Sequence, residues 1–242
     1  MSDAEQLQDM SGRTAVIVGA GNGISGSFTR QFVAAGGTVI LAARSIDKLA
    51  HFERDFGATL VACDATKPDD VAALFATVDR QTQSPDAVLY NASARAGGPF
   101  VDVDVDKAQH ALMVSAYGGF LVTQQAARRM TKVGAGTILL TGASASVKGY
   151  KESAIFAMGK FGLRGLAQSA ARELAPQGVH VAHFVIDGGV RSEERGRVEA
   201  AGDAPDRFLN PDAIAETYMH VVRQPRSAWT WEIELRPWIE NF

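Results

Sequence analysis

The stretch Gly19-Ala20-Gly21-Asn22-Gly23-Ile24-Ser25-Gly26 follows an apolar run at 14–18 and opens a segment of helical period. A strand that turns sharply onto a helix N-terminus presents unpaired backbone N–H groups and the positive end of the helix dipole, and glycines let a pyrophosphate approach the backbone. A bare glycine repeat often marks only a turn. The strand before it and the helix after it give this one its reading as a dinucleotide site. About 20 residues further on, where such sites meet the adenosine ribose, the chain reads Leu41-Ala42-Ala43-Arg44-Ser45. A carboxylate there would accept a hydrogen bond from a free 2′-hydroxyl, whereas the guanidinium of Arg44 matches a 2′-phosphate. The expected cofactor is therefore NADP(H) rather than NAD(H). The alternative reading of Arg44 is a surface arginine capping the strand-to-helix turn.

Other reactive side chains offer less. The histidines at 51, 110, 180, 183 and 220 are scattered, and His180 and His183, three apart on an expected strand, face opposite sides and cannot share a metal. No metal site is expected. The single Cys63 excludes an internal disulfide and fits a reducing, cytoplasmic compartment.

These groups need elements to position them. Short apolar runs at 14–18, 38–42, 59–62, 87–90, 137–141 and 179–186 alternate with helical segments at 23–35, 46–56, 68–82, 104–112, 118–132, 153–174 and 211–223. Most of the runs are continuous rather than alternating, as strands covered on both faces are. The expected fold class is α/β, a doubly wound parallel sheet of Rossmann type in a single domain. The last run, 229–235, alternates strictly: Trp229, Trp231, Ile233 and Leu235 against Thr230, Glu232 and Glu234, which predicts an edge strand with one wetter face. Residues 1–11 read as a flexible lead and 12–242 as the dinucleotide-binding domain. The least patterned stretch, 191–210, lies where a substrate lid would sit in such a fold.

With 46% hydrophobic and 21% charged residues, the chain has the composition of a folded globular protein. Lys and Arg number 24 against 27 Asp and Glu, a net charge of −3, so there is no broad footprint for a nucleic acid. No apolar run approaches the ~18 residues of a membrane-spanning helix. A small-molecule substrate is the partner that remains.

Taken in order, these residues resemble the short-chain dehydrogenase/reductase family from about Gly12 onward. The glycine turn is similar to that family's TGxxxGIG motif, with Val18 for Thr, Gly19, Gly23 and Ile24 in register, and Ser25 in place of the third glycine. Asp64 and Ala65 match the segment that lies beside the adenine, and Asn91-Ala92 the NNAG stretch after the fourth strand. The resemblance implies that Gly19, Gly21, Asn22, Gly23, Ile24, Arg44, Asp64, Ala65, Asn91, Ala92 and Lys160 hold the cofactor. It also implies a homodimer or homotetramer pairing helices 118–132 and 153–174.

The family's chemistry uses a Tyr as general acid/base, a Lys one helical turn later that lowers the Tyr pKa and holds the ribose, a Ser on the substrate oxygen and an Asn on a relay water. Here the segment reads Phe156-Ala157-Met158-Gly159-Lys160. Lys160 is kept and the phenol is not. The Ser position falls at Ala143 with Ser144 beside it, and the Asn position at Ser115. The expected catalytic set is therefore Lys160, Ser144, Ser115 and a degenerate Phe156. Phenylalanine has no ionisable proton, and general acid/base catalysis contributes about 10²–10⁴-fold to rate. The expected function is NADP(H)-dependent hydride transfer between nicotinamide and a carbonyl or alcohol, with atypical or reduced activity. The alternatives are a non-catalytic NADP(H)-binding sensor or scaffold, and the reduction of an activated substrate that needs no phenolic proton.

Overall fold

The computed structural model describes residues 9–200 and 202–240. Seven strands, β1 (Thr14–Val18), β2 (Thr38–Ala43), β3 (Thr59–Ala62), β4 (Ala87–Tyr90), β5 (Thr137–Thr141), β6 (His180–Ile186) and β7 (Glu232–Leu235), form one sheet in the order β3-β2-β1-β4-β5-β6-β7. Every pairing is parallel. The apolar runs are continuous because both faces of the sheet are covered. Ala15 and Ile17 point into one buried cluster, and Val16 and Val18 into the other.

The helices divide between those faces. On the first, α1 (Ile24–Ala34) and α2 (Ala50–Phe56) bring Phe28, Phe32 and Phe52 against Leu41 and Phe184. On the second, α3 (Pro68–Gln81) brings Leu74 and Phe75 against Ile40 and Tyr90. The chain then runs through α4 (Val105–Leu112), a π-helical turn at Met113–Tyr117, α5 (Gly118–Val133) and α6 (Ala154–Leu174), whose Val122 and Leu163 complete that cluster. Finally α7 (Pro211–Val222) returns Ile214 and Tyr218 to the first.

Four local expectations are corrected. The helices predicted at 104–112 and 118–132 are joined through the π-helical turn rather than separated by a loop. Just past it, Gly118 packs so closely on β4 that a Cβ would lie 2.5 Å from the Tyr90 hydroxyl, and Gly119 so closely on α6 that a Cβ would lie 2.5 Å from Leu163. The segment predicted as a helix from 46 begins as a 3-10 turn, Asp47–Leu49. The edge strand is confined to Glu232–Leu235, and its polar face is not simply wet: Arg164 donates to both oxygens of Glu232 at 2.7 and 2.8 Å, and His183 Nδ1 lies 3.0 Å from the same carboxylate. The packed body also reaches back beyond the boundary expected at 12, because Met10 is fully buried and its N–H donates to the Ala35 carbonyl at 2.7 Å. Residues 1–8 of the predicted lead lie outside the described residues.

β1, β2 and β3 succeed one another toward one edge, and β4 starts again on the other side of β1. The carboxyl ends of β1 and β4 therefore part around a crevice, where open parallel sheets bind ligands.

Candidate functional site

Gly19 ends β1 at φ +82°, a left-handed backbone conformation. A Cβ there would lie 2.3 Å from the backbone nitrogen of Ala92, so only glycine permits the loops after β1 and β4 to touch. A hydrogen-bond chain locks them together: Asn91 Nδ2 donates to Ser25 Oγ at 2.7 Å, and Ser25 Oγ donates to the Gly19 carbonyl at 3.1 Å. Ser25, which replaces the motif's third glycine, thus has a structural task. Gly23 precedes α1 without a side-chain cap, and no acidic residue occupies the first turn, so its first N–H groups are left for a ligand. At Gly21 and Gly23 a Cβ would meet nothing within 4 Å, so the turn turns bare backbone toward open space. The arrangement fits a pyrophosphate.

The cleft beyond this turn measures about 750 Å³. It is lined by Gly19, Gly21, Asn22, Gly23, Ile24, Arg44, Asp64, Ala65, Asn91, Ala92, Phe156 and Lys160 among the residues read from the sequence. At the end nearer β2, Arg44 stands immediately past that strand and its charge reaches Asp64. Burial works to raise the Asp64 pKa, but two hydrogen bonds from Thr66 and the charges of Lys67 and Arg44 hold the carboxyl below its ordinary value. Cys63 also lines the cleft, yet burial pushes its thiol up to about 11, so it is not a nucleophile at neutral pH.

At the other end, α6 carries Phe156 and Lys160 one turn apart on the face toward the cleft. The Phe156 ring is only 9% exposed. Lys160 is buried, and its Nζ donates to the Thr141 carbonyl at 2.7 Å. Burial, aided by the charge of Arg95, brings the Lys160 pKa down to about 7.

The two serines do not join this cleft. Ser144 opens a short 3-10 turn after β5, and its neighbour Ala143 is the residue that reaches the lining. Ser115 is 1% exposed within the π-helical turn, where its hydroxyl lies 3.3 Å from both the backbone nitrogen and the carbonyl of Ala94. It fastens the loop after β4 to the helix. Neither Ser144 nor Ser115 is among the residues that line the cleft.

Sequence reasoning missed the cations opposite Phe156. Arg95, four residues past Asn91, stacks its guanidinium 4.0 Å from the centre of the Phe156 ring. Arg195 and Arg197, from the segment between β6 and α7, line the same space with His110 of α4. Glu194 of that segment accepts a hydrogen bond from Asn22 at 2.5 Å, tying the expected lid to the glycine turn. No periodicity marks loop residues such as Arg95; its closeness in sequence to Asn91 was the one available signal. His183, by contrast, is an interior residue as expected, held neutral by burial to a pKa of about 4 despite its Glu232 partner. Among the described residues no cluster of ligating side chains could hold a metal.

Comparison with known proteins agrees with the fold. Residues 13–201 match the family model described as short chain dehydrogenase. A mitochondrial borneol dehydrogenase of Lavandula x intermedia is 30% identical over 72% of this chain and 68% of its own length. A short-chain dehydrogenase from Rhodopseudomonas palustris superposes with a TM-score of 0.79 at 33% identity, covering 93% of this chain and 99% of that one. A metagenomic short-chain oxidoreductase crystallised in complex with NADP superposes with a TM-score of 0.81 at 26% identity, covering 94% and 98%. With its seven-stranded parallel sheet, its glycine turn at the β1–β4 crevice and this match over most of its length, the chain belongs to the short-chain dehydrogenase/reductase family, oxidoreductases that bind nicotinamide cofactors.

Proposed function

We propose that this chain is an NADP(H)-dependent oxidoreductase that interconverts a carbonyl and an alcohol while handling the proton without a phenol. The observation that carries this reading is the juxtaposition, in one cleft, of the bare glycine turn, Arg44 past β2 and Lys160 beneath Phe156. NADP(H), when bound, supplies or accepts the hydride. Gly21, Gly23 and the N-terminus of α1 hold the pyrophosphate, and Arg44 pairs with the 2′-phosphate. In the reductive direction the carbonyl carbon gains the hydride and its oxygen gains a proton, giving the alcohol. Lys160 is the proton donor in this reading: its ammonium sits 6.0 Å from the Phe156 ring centre, and its pKa of about 7 lets it give up a proton at neutral pH and recover one from water.

Titration with NADPH, followed by tryptophan quenching and nicotinamide emission, tests the cofactor, and a panel of carbonyls, enones and alcohols tests turnover. Saturable NADPH binding with reduction of at least one carbonyl is the expected result. No optical response at millimolar NADPH would sink the cofactor assignment. Tight binding with no turnover across the panel would move the chain to the sensor or scaffold alternative.

The proposal extends to assembly and setting. Phe120 on α5 and Met158 and Phe161 on α6 are between 41% and 56% exposed, a spread of apolar surface that a second copy would cover. The single, buried Cys63 supports a reducing, cytoplasmic compartment. Among the described residues no helix is long and apolar enough to cross a membrane.

A further inference from the structure

The charge of the cleft is out of keeping with the chain that forms it. The whole protein carries a net charge of −3, yet at the Phe156 end the lining gathers Arg95, Arg195 and Arg197 beside Lys160. Among the described residues, none of these three arginines has a carboxylate within ion-pair distance. Arg191, by contrast, is neutralised by both oxygens of Glu199, at 3.0 and 2.5 Å. Like charges left together without a partner repel, and the guanidinium of Arg95 is held below its ordinary pKa by burial and by the charges of Arg197 and Arg195. An anion placed among them would remove that penalty.

The geometry says what the anion would meet. Phe156 offers neither donor nor acceptor, so the face of Arg95 that rests on it is used for stacking, while the N–H edges of a stacked guanidinium stay free for bidentate contact with an acid group. The dinucleotide's own phosphates are served elsewhere, by the glycine turn and by Arg44 at the far end of the cleft. The arginine fork instead stands over the ring that replaces the phenol, on the side where the reacting carbon must lie.

The geometry points to an anionic substrate: a carbonyl or hydroxy compound whose carboxylate or phosphate docks on the Arg95 guanidinium, with Arg195 and Arg197 closing over it from the segment between β6 and α7. This inference rests on the hydride-transfer reading above and narrows it to one substrate class. Arg95 is here a substrate-binding residue, and Phe156 the platform that orients it.

Matched acid and neutral pairs test it: 4-formylbenzoate against its methyl ester, succinic semialdehyde against its methyl ester, and glyceraldehyde 3-phosphate against glyceraldehyde. A charge-assisted bidentate contact makes the acid member of at least one pair better by about tenfold or more in kcat/KM. The carboxylate pairs and the phosphate pair separate the two acid groups. Arg95→Gln brings the ratio to about one, Arg95→Lys keeps part of it, and both variants bind NADPH within about twofold of the parent. Calorimetric binding of the same acids and esters, with and without NADP+, is measured alongside. If NADPH fails to bind while the acids still bind through Arg95, the cofactor reading and the substrate assignment fall together, and the arginines remain as an anion-binding site only. Equal or better handling of the neutral members, or an acid preference that survives Arg95→Gln, overturns the inference.

Discussion

At position 156 the missing hydroxyl decides how the protein moves a proton. If Lys160 is the donor, carbonyl reduction follows one protonated group near its pKa of about 7 and falls as pH rises above it. A pH profile of kcat, measured by NADPH absorbance, checks this. Restoring a phenol and its serine partner, with Phe156→Tyr and Ala143→Ser together, gives general acid/base catalysis its usual group back, and kcat for a carbonyl already accepted rises by about 10²-fold or more. An unchanged kcat would mean that the path of the proton lies elsewhere. At the adenosine end, Arg44→Glu weakens NADPH by about tenfold or more relative to NADH, read by fluorescence titration, because it replaces a phosphate donor with a like charge. Equal weakening of both would remove Arg44 from the 2′-phosphate. At this scale, the residues set by a fixed spacing were legible: Phe156 and Lys160 lie one helical turn apart, and the glycines follow a strand. The settings of Ser144 and Ser115 were not, because a 3-10 turn and a π-helical turn are not announced by residue types. Arg95 was missed because its role comes from a ring 61 positions away in the chain.

The elements were the most readable layer. Continuous apolar runs placed the first six strands to within a residue: the five inside the sheet are covered on both faces, which leaves no room for polar alternation, while β3, at the edge, is a half-buried apolar run. What failed was the last strand, where the alternation of 229–235 promised a longer element. There Trp229 leaves the sheet register to stack on His180 at 4.7 Å, and only Glu232–Leu235 keeps the ladder. Two predictions belong to this scale. Gly19→Ala drives a methyl into the Ala92 backbone at a positive φ, and costs about 2–4 kcal/mol in a denaturant titration. β6 also carries a pH-sensitive residue. His183 has a pKa of about 4 when folded, because burial outweighs the pull of Glu232, against about 6.5 when unfolded. Between those values the unfolded chain binds the extra proton, so the stability that His183 contributes is present above about pH 6.5 and is lost as pH falls toward 4, in all about 3 kcal/mol. Denaturant midpoints measured across that window, flattened in His183→Gln, check the assignment.

For the whole molecule, the apolar surface of α5 and α6 predicts a dimer. Sedimentation at micromolar concentration shows a mass twice that of the chain, and Met158→Glu with Phe161→Glu yields a monomer, because two charges would have to be desolvated at the contact. A wild-type monomer at that concentration would remove the dimer from the proposal. The glycine turn, for its part, mixes two kinds of constraint. Gly19 is demanded by its contact with Ala92, so any descendant of this chain that keeps the sheet must keep it, whether or not it still holds a nucleotide. At Gly21 a methyl would strike nothing, so folding alone does not demand glycine there, whereas Gly23 is also held by the backbone conformation that starts the helix. A lineage that had lost a ligand at this turn would therefore show it first at 21, where folding places no demand of its own.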